Sequence, residues 1–222
     1  ILHEIQHPFI VYLYFAFQTN RKLYMVTDYY PGNNLFAHIQ QSRAQGGFAE
    51  PRARFYAAEL CCALDFLHVN NIVYRDLKLE NILMDMNGNI VLTDFGLSKD
   101  QVADVNANTM KTFCGTVEYM APELVSGQTY SSAVDWWSFG VLVFEMLTTR
   151  TPFFSKNGRS EIFQNIKKKD VKFPPDKISP EARTFISELL DKVPQRRLGM
   201  GPNGAKPIYD HAWFAKAIGN IP

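Results

Sequence analysis

Cysteine is scarce in this sequence, with only Cys61, Cys62 and Cys114 among 222 residues. Adjacent Cys61 and Cys62 are poorly placed to bridge each other, and no Cys-x-x-Cys spacing offers a zinc site. A disulfide-stapled scaffold is excluded. Reduced thiols of a cytoplasmic or nuclear protein are expected instead, two of them packed on a helix. An excess of charge is also missing: 23 Lys+Arg stand against 22 Asp+Glu, for a formal charge of +1. A nucleic-acid partner needs a strongly basic face and is not expected. The longest apolar stretch, residues 9–17, falls short of the roughly 20 residues of a membrane helix, so no membrane span is expected. There is no internal repeat and no low-complexity tract. No signal peptide is visible, and Ile1 rather than Met comes first, so the chain is expected to begin inside a longer protein.

What is present suits a packed core, since 46% of residues are hydrophobic and 14% aromatic. "ILHEIQ" reads as the last turns of a helix ended by His7 and Pro8. "FIVYLYFAFQ" and "LYMVTDY", joined by "TNRK", read as a β-hairpin. After "YPGNN" the character turns helical. From Pro51, a residue tolerated in a first helical turn, Tyr56, Leu60, Leu64 and Leu67 form a helical stripe. Asn87 and Gly88, between two short apolar runs, mark a second hairpin. Residues 98–111 are polar and without period. "SAVDWWSFGVLVFEMLT" is apolar nearly all round and should be a buried helix. Amphipathic helices are expected over Arg159–Lys168 and residues 180–190.

The chemistry concentrates in "YRDLKLEN", residues 74–81, where a mere connection would need no such density of charge. Arg75 and Asp76, Asn81 five residues after that Asp, then Asp94, Phe95 and Gly96 after the next hairpin, keep a fixed order and spacing. "APE" follows at residues 121–123. Phosphoryl transfer needs cations on phosphates, a carboxylate to orient the attacking hydroxyl, and ligands for a divalent ion. Asp76 can accept a hydrogen bond from a substrate hydroxyl. Lys78 can place positive charge where the moving phosphoryl group gathers negative charge. Asn81 and Asp94 offer hard oxygen ligands for Mg²⁺. Gly96 permits a sharp turn after Asp94.

This set is the signature by which protein kinases are themselves described, and the chain resembles eukaryotic protein kinases from end to end. "VDWWSFGVLVFEMLT" and "RRLG" fit the family's later landmarks. Tyr74 with "FCGTVEYMAPE" resembles the AGC group of Ser/Thr kinases. "VYRDLKLENIL", "NGNIVLTDFGLSK" and "GTVEYMAPEL" look most like the N-terminal kinase domain of mitogen- and stress-activated kinases. The resemblance implies an α+β, protein-kinase-like fold. Residues 1–30 would be part of the β-rich small lobe and the hinge. Residues 31–222 would be a mainly helical large lobe, with a catalytic loop at 74–81 and an activation segment at 94–123. It implies ATP and Mg²⁺ as cofactors and protein Ser/Thr hydroxyls as acceptors.

Further roles follow from the same resemblance. Thr27, Asp28 and Tyr30 match the hinge that meets adenine, with Thr27 as gatekeeper. Leu83 would floor the adenine site beside Thr93, and Glu80 would serve both nucleotide and substrate. Leu2, Leu13, Tyr74 and Phe95 match a hydrophobic stack anchored by Asp135. Glu123 would pair with Arg197 in a buried contact. Thr112 occupies the activation-loop phosphorylation position for an upstream kinase, with Arg75 and Lys99 able to clamp the phosphate. Glu80, Glu145 and Thr116 match substrate-binding positions, which implies basic residues upstream of the acceptor. Asn34 stands where the group usually carries an acid, removing one such contact. Val193 replaces the usual Asp before Pro194, which reads as a lost local cap of small cost.

The family's glycine-rich loop, its ATP-binding lysine and the helix glutamate paired with it are not among these residues. The expectation is a piece of a kinase domain whose parent is active while this chain alone is not. Two other classes share part of the pattern. A noncatalytic pseudokinase module has no need to keep Asp76, Asn81 and Asp94. A small-molecule Mg²⁺ phosphotransferase has no need for the peptide platform of "GTVEYMAPE".

Overall fold

The computed structural model describes residues 5–96, 116–175 and 177–215, together with the backbone of 99–100 and 216–218. Leu2, Thr112, Cys114 and the side chain of Lys99 lie outside the described residues. So does most of the helix end expected at "ILHEIQ", whose Ile5 and Gln6 belong to no helix.

The first hairpin pairs β1 (Leu13–Gln18) with β2 (Leu23–Thr27), with a register shift between Leu13 and Phe15. Its turn closes on itself, because the Thr19 amide donates to the Lys22 carbonyl and the Lys22 amide donates to Thr19 Oγ1. Most of its side chains are exposed, with Phe17 stacked on Tyr24. The chain just before it is anchored, since the Val11 amide bonds to the Leu92 carbonyl and the Leu92 amide to the Phe9 carbonyl. That contact adds residue 10 to one edge of the second hairpin, β4 (Ile82–Met84) and β5 (Ile90–Leu92). The opposite edge is met by residues 32–34, where the Gly32 amide donates to Met84 and the Met84 amide to Asn33. A Cβ on Gly32 would stand 2.6 Å from the Met84 carbonyl, so only glycine allows this approach.

The body is helical. Asn34 caps α1 (Leu35–Gln41) by accepting from the Ala37 amide, the task of a good N-cap residue. In α2 (Glu50–Val69), Pro51 occupies the first turn and the stripe Tyr56, Leu60, Leu64, Leu67 is buried as its spacing requires. Cys61 is buried on the same helix and Cys62 half-buried, both free thiols. A short helix α3 (Pro122–Val125) precedes α4 (Ala133–Thr148), which is buried on almost every face. At about 1.5–3 kcal/mol per fully buried large apolar side chain, α4 is the chief organiser of the core. Gly140 lets it cross the later helix α6 (Pro180–Leu189) closely: an added Cβ would sit 2.8 Å from Leu189 Cβ.

Between these lie α5 (Arg159–Lys168), with Lys167 and Lys168 in its last turn. The chain continues through α7 (Lys206–Tyr209) and α8 (Ala212–Ile218). Two two-residue strands, β3 (Ile72–Val73) and β6 (Lys99–Asp100), pair on either side of the loop that follows β3. The α+β class expected from the sequence is therefore the one adopted. As expected, no side chain caps the turn Pro194–Arg196 at Val193; Asp191 Oδ1 accepts instead from the Val193 amide and from the Arg196 guanidinium.

Candidate active site

The loop of residues 74–81 is pinned from beneath by Asp135 of α4. Asp135 Oδ1 accepts from the Arg75 amide at 2.8 Å, and Oδ2 accepts from the Tyr74 amide at 2.9 Å and from His68 Nε2 at 2.8 Å. The carboxylate is fully buried, and three donors are what such burial demands. They hold Arg75 at φ 71, a left-handed conformation costing a non-glycine residue about 1–2 kcal/mol. The next residue, Asp76, is thereby turned back along the loop.

Asp76 Oδ2 receives Lys78 Nζ at 2.7 Å and Asn81 Nδ2 at 3.0 Å. The same Asn81 nitrogen reaches the Asp76 carbonyl at 2.9 Å, which fixes the amide's orientation. Asp76 is only 7% exposed, yet among the described residues no hydrogen-bond donor is seen at its other carboxylate oxygen. The loop's far end is tied to β5, since the Thr93 amide and hydroxyl both donate to the Asn81 carbonyl, at 2.9 and 3.1 Å. Tyr74 closes the ring by donating its hydroxyl to the Thr93 carbonyl and packing edge-on against Phe95, 5.1 Å between ring centres. Asp94 follows Thr93 directly and is exposed at φ 56, its Oδ1 receiving the Gly96 amide at 3.3 Å. Asn81 Oδ1 and the Asp94 carboxylate are hard oxygens, a donor set that suits Mg²⁺.

The cleft beside Asp76 is lined also by Arg75, Thr116 and Tyr119. Arg75 Nη1 donates to the Tyr130 hydroxyl at 2.8 Å. Tyr119 connects this cleft to an acidic corner: its hydroxyl donates to Glu145, and its carbonyl accepts from Ser138 of α4 at 2.9 Å. Burial pushes Glu145 up to about 7, with Tyr119 opposing and Glu80 and Glu118 adding to the push. Burial, then Glu80, raises Glu118 as well. Three carboxylates crowd there without a neutralising cation.

Glu123 and Arg197 meet in a bidentate pair at 2.7 and 3.1 Å, almost wholly buried. Arg197 also donates to the Ala133 and Asp191 carbonyls, so every arm of the guanidinium is engaged. At the other end of the site, Leu83 is half-buried on β4 and pairs with Val91. Thr27 ends β2 with its hydroxyl on the Asp28 carbonyl. The Asp28 carboxylate accepts from Tyr14 of β1, and Asp28 and Tyr30 line a cavity of about 590 Å³ with residues 6–14. Leu83 and Thr93 do not line that cavity. Sequence reasoning missed His68, Tyr119 and Tyr130. No local pattern marks a partner 55 or 67 residues distant.

A carboxylate steadied by lysine and amide, beside two oxygen ligands, matches the needs of a nucleotide-dependent phosphotransferase. A protein kinase domain model matches residues 1–214. RAC-beta serine/threonine-protein kinases of Rattus norvegicus and Homo sapiens are each 44% identical over 214 residues, 96% of this chain and 43% of theirs. RAC-beta serine/threonine-protein kinase A of Xenopus laevis matches to the same extent. The chain belongs to the protein kinase domain family and, within it, to the AGC group. It spans less than half the length of these curated relatives. They do not single out the mitogen- and stress-activated branch that the motifs resemble.

Proposed function

We propose that the protein containing this chain transfers the γ-phosphate of ATP to Ser or Thr hydroxyls of protein substrates. The observation that carries this reading is the loop geometry: one Asp76 oxygen is held by Lys78 and Asn81 while the other stays open. The open oxygen accepts the substrate hydroxyl and aims its lone pair, and the Lys78 charge lies where negative charge develops. Asn81 and Asp94 would hold Mg²⁺, which when bound neutralises phosphate charge. Residues 1–30 serve as small-lobe strands and hinge, and 31–222 as the large lobe. Thr27, Asp28, Tyr30, Leu83 and Thr93 border the nucleotide, with the hinge segment contributing backbone groups.

Glu80, Glu118 and Glu145 select substrates with basic residues upstream of the acceptor. Crowded, half-buried carboxylates are relieved by a bound guanidinium, while Thr116 borders the acceptor site. Phosphorylation of Thr112 by an upstream kinase is the activating step, Arg75 and Lys99 receiving the phosphate. The setting is intracellular, cytoplasmic or nuclear.

The test is phosphate transfer by the full-length protein, with ATP and Mg²⁺, to a Ser peptide carrying upstream arginines. A matched peptide without arginines and a small-molecule alcohol serve as comparisons. Labelling of the basic peptide well above both supports the reading, whereas labelling of the alcohol alone overturns it. A Thr112→Ala protein retaining the full rate removes the activation step.

A further inference from the structure

Beyond the acidic corner, Glu118 and Glu145 form one wall of a cavity of about 290 Å³. The same cavity is lined by residues of the opposite sign, Arg43, Arg150 and Lys156, which make up its basic side. All three are exposed, and among the described residues none forms an ion pair; Arg43 reaches only the Gln40 amide oxygen, at 3.3 Å. Arg150 is held in place by its backbone, which follows the left-handed Thr149 at φ 66 and receives Thr148 Oγ1 at its carbonyl, 2.9 Å away.

Two further features indicate a missing guest. Thr151 lines the cavity at 6% exposure, and among the described residues its hydroxyl has no hydrogen-bond partner. An orphaned buried hydroxyl costs about 1–3 kcal/mol. Phe154, 46% exposed, offers an apolar surface for the stem of a polar side chain.

We propose that the basic wall of this cavity holds an anionic side chain of the substrate, a carboxylate or a phosphorylated residue. That residue lies N-terminal to the basic ones taken by the acidic wall. The proposal rests on the kinase reading above and deepens it. The order follows from Tyr119, which borders the cleft at Asp76 and bonds Glu145 of the acidic wall. A polypeptide leaving Asp76 meets the carboxylates first and the cations after them. Three like charges around a concave surface repel one another, and an anion there is bound by charge-assisted bonds. Substrates are therefore selected for an acidic residue followed by basic ones, in that order.

The experiment uses the full-length protein with ATP and Mg²⁺. Peptides share an acceptor Ser and upstream arginines, and differ only in one residue scanned further N-terminally: Glu, phosphoserine, Ala or Lys. At one position Glu is expected to raise kcat/KM over Ala by about fivefold or more, through KM, and Lys to lower it. A larger gain for phosphoserine than for Glu identifies phosphate as the preferred anion, and equal gains identify a carboxylate. In the double variant Arg150→Glu/Lys156→Glu the Glu:Lys ratio inverts. In the unaltered protein the Glu advantage shrinks as salt rises from about 0.05 to 0.5 M, a check needing no variant. A Glu:Ala ratio near one at every position overturns the proposal, as does a ratio that survives the charge reversal. Failure of the underlying reading is separately visible, because the Ala peptide would then gain nothing from its arginines.

Discussion

Replacing Asp135 with Ala removes the acceptor for the Tyr74 and Arg75 amides and for His68. Hydrogen bonds to a charged group are worth about 1.5–3 kcal/mol each, so the two amide bonds place ~3–6 kcal/mol on the pinned loop. Arg75 at φ 71 adds about 1–2 kcal/mol of backbone cost. Each 1.4 kcal/mol is a factor of ten, so amide exchange at Tyr74 and Arg75 should accelerate by about 100-fold or more. Asp135→Asn keeps one acceptor oxygen and sets an amide donor against the other N–H, and should fall between. Hydrogen–deuterium exchange on the full-length protein resolves the two amides and compares them with the α2 core. The reasoning predicts that phosphoryl transfer falls together with protection, because Asp76 is aimed by the Arg75 backbone. Unchanged protection at both amides in the Ala variant would refute it.

Glu123→Gln leaves the Arg197 charge buried without its partner, and removing one member of such a pair costs about 3–5 kcal/mol. The midpoint of thermal unfolding should drop by several degrees, and a change under one degree would contradict the assignment. Glu59 of α2 accepts the Ile90 amide at 2.9 Å, and burial pushes it up to about 7 from the ordinary 4.5. The folded protein thus keeps a proton that the unfolded chain releases. Stability should fall as pH rises from about 4.5 to about 7 and level off above, and Glu59→Gln should flatten that slope in denaturant titrations.

Elements with strong local signals were legible before any coordinates. The stripe of α2, the all-round apolar α4, the Arg159–Lys168 helix and the Asn87 and Gly88 turn all formed where periodicity and turn chemistry placed them. Short helices such as α3, α7 and α8 give no repeating pattern to read, and their positions come from packing against longer elements. Asp76, Lys78 and Asn81 contact one another because they share a single loop. The His68–Asp135 and Tyr119–Glu145 contacts join residues remote in sequence and belong to the tertiary fold alone. The hinge at Asp28 was expected to meet adenine through backbone groups, and its carboxylate is taken by Tyr14 of β1, a contact that no local pattern announces. The cluster of Arg43, Arg150 and Lys156 is likewise invisible in sequence, since the turn after α1 and the α4–α5 connection, about a hundred residues apart, both contribute to it.

The whole functional account depends on one open carboxylate oxygen facing an alcohol. Asp76→Asn keeps the shape of that side chain and removes its charge, which makes it the most direct test. In the full-length protein, with ATP, Mg²⁺ and a basic Ser peptide, kcat should fall by about 10²–10⁴-fold with little change in KM. A variant that labels the peptide at the unaltered rate would contradict the assignment of Asp76 and the phosphotransfer mechanism built on it.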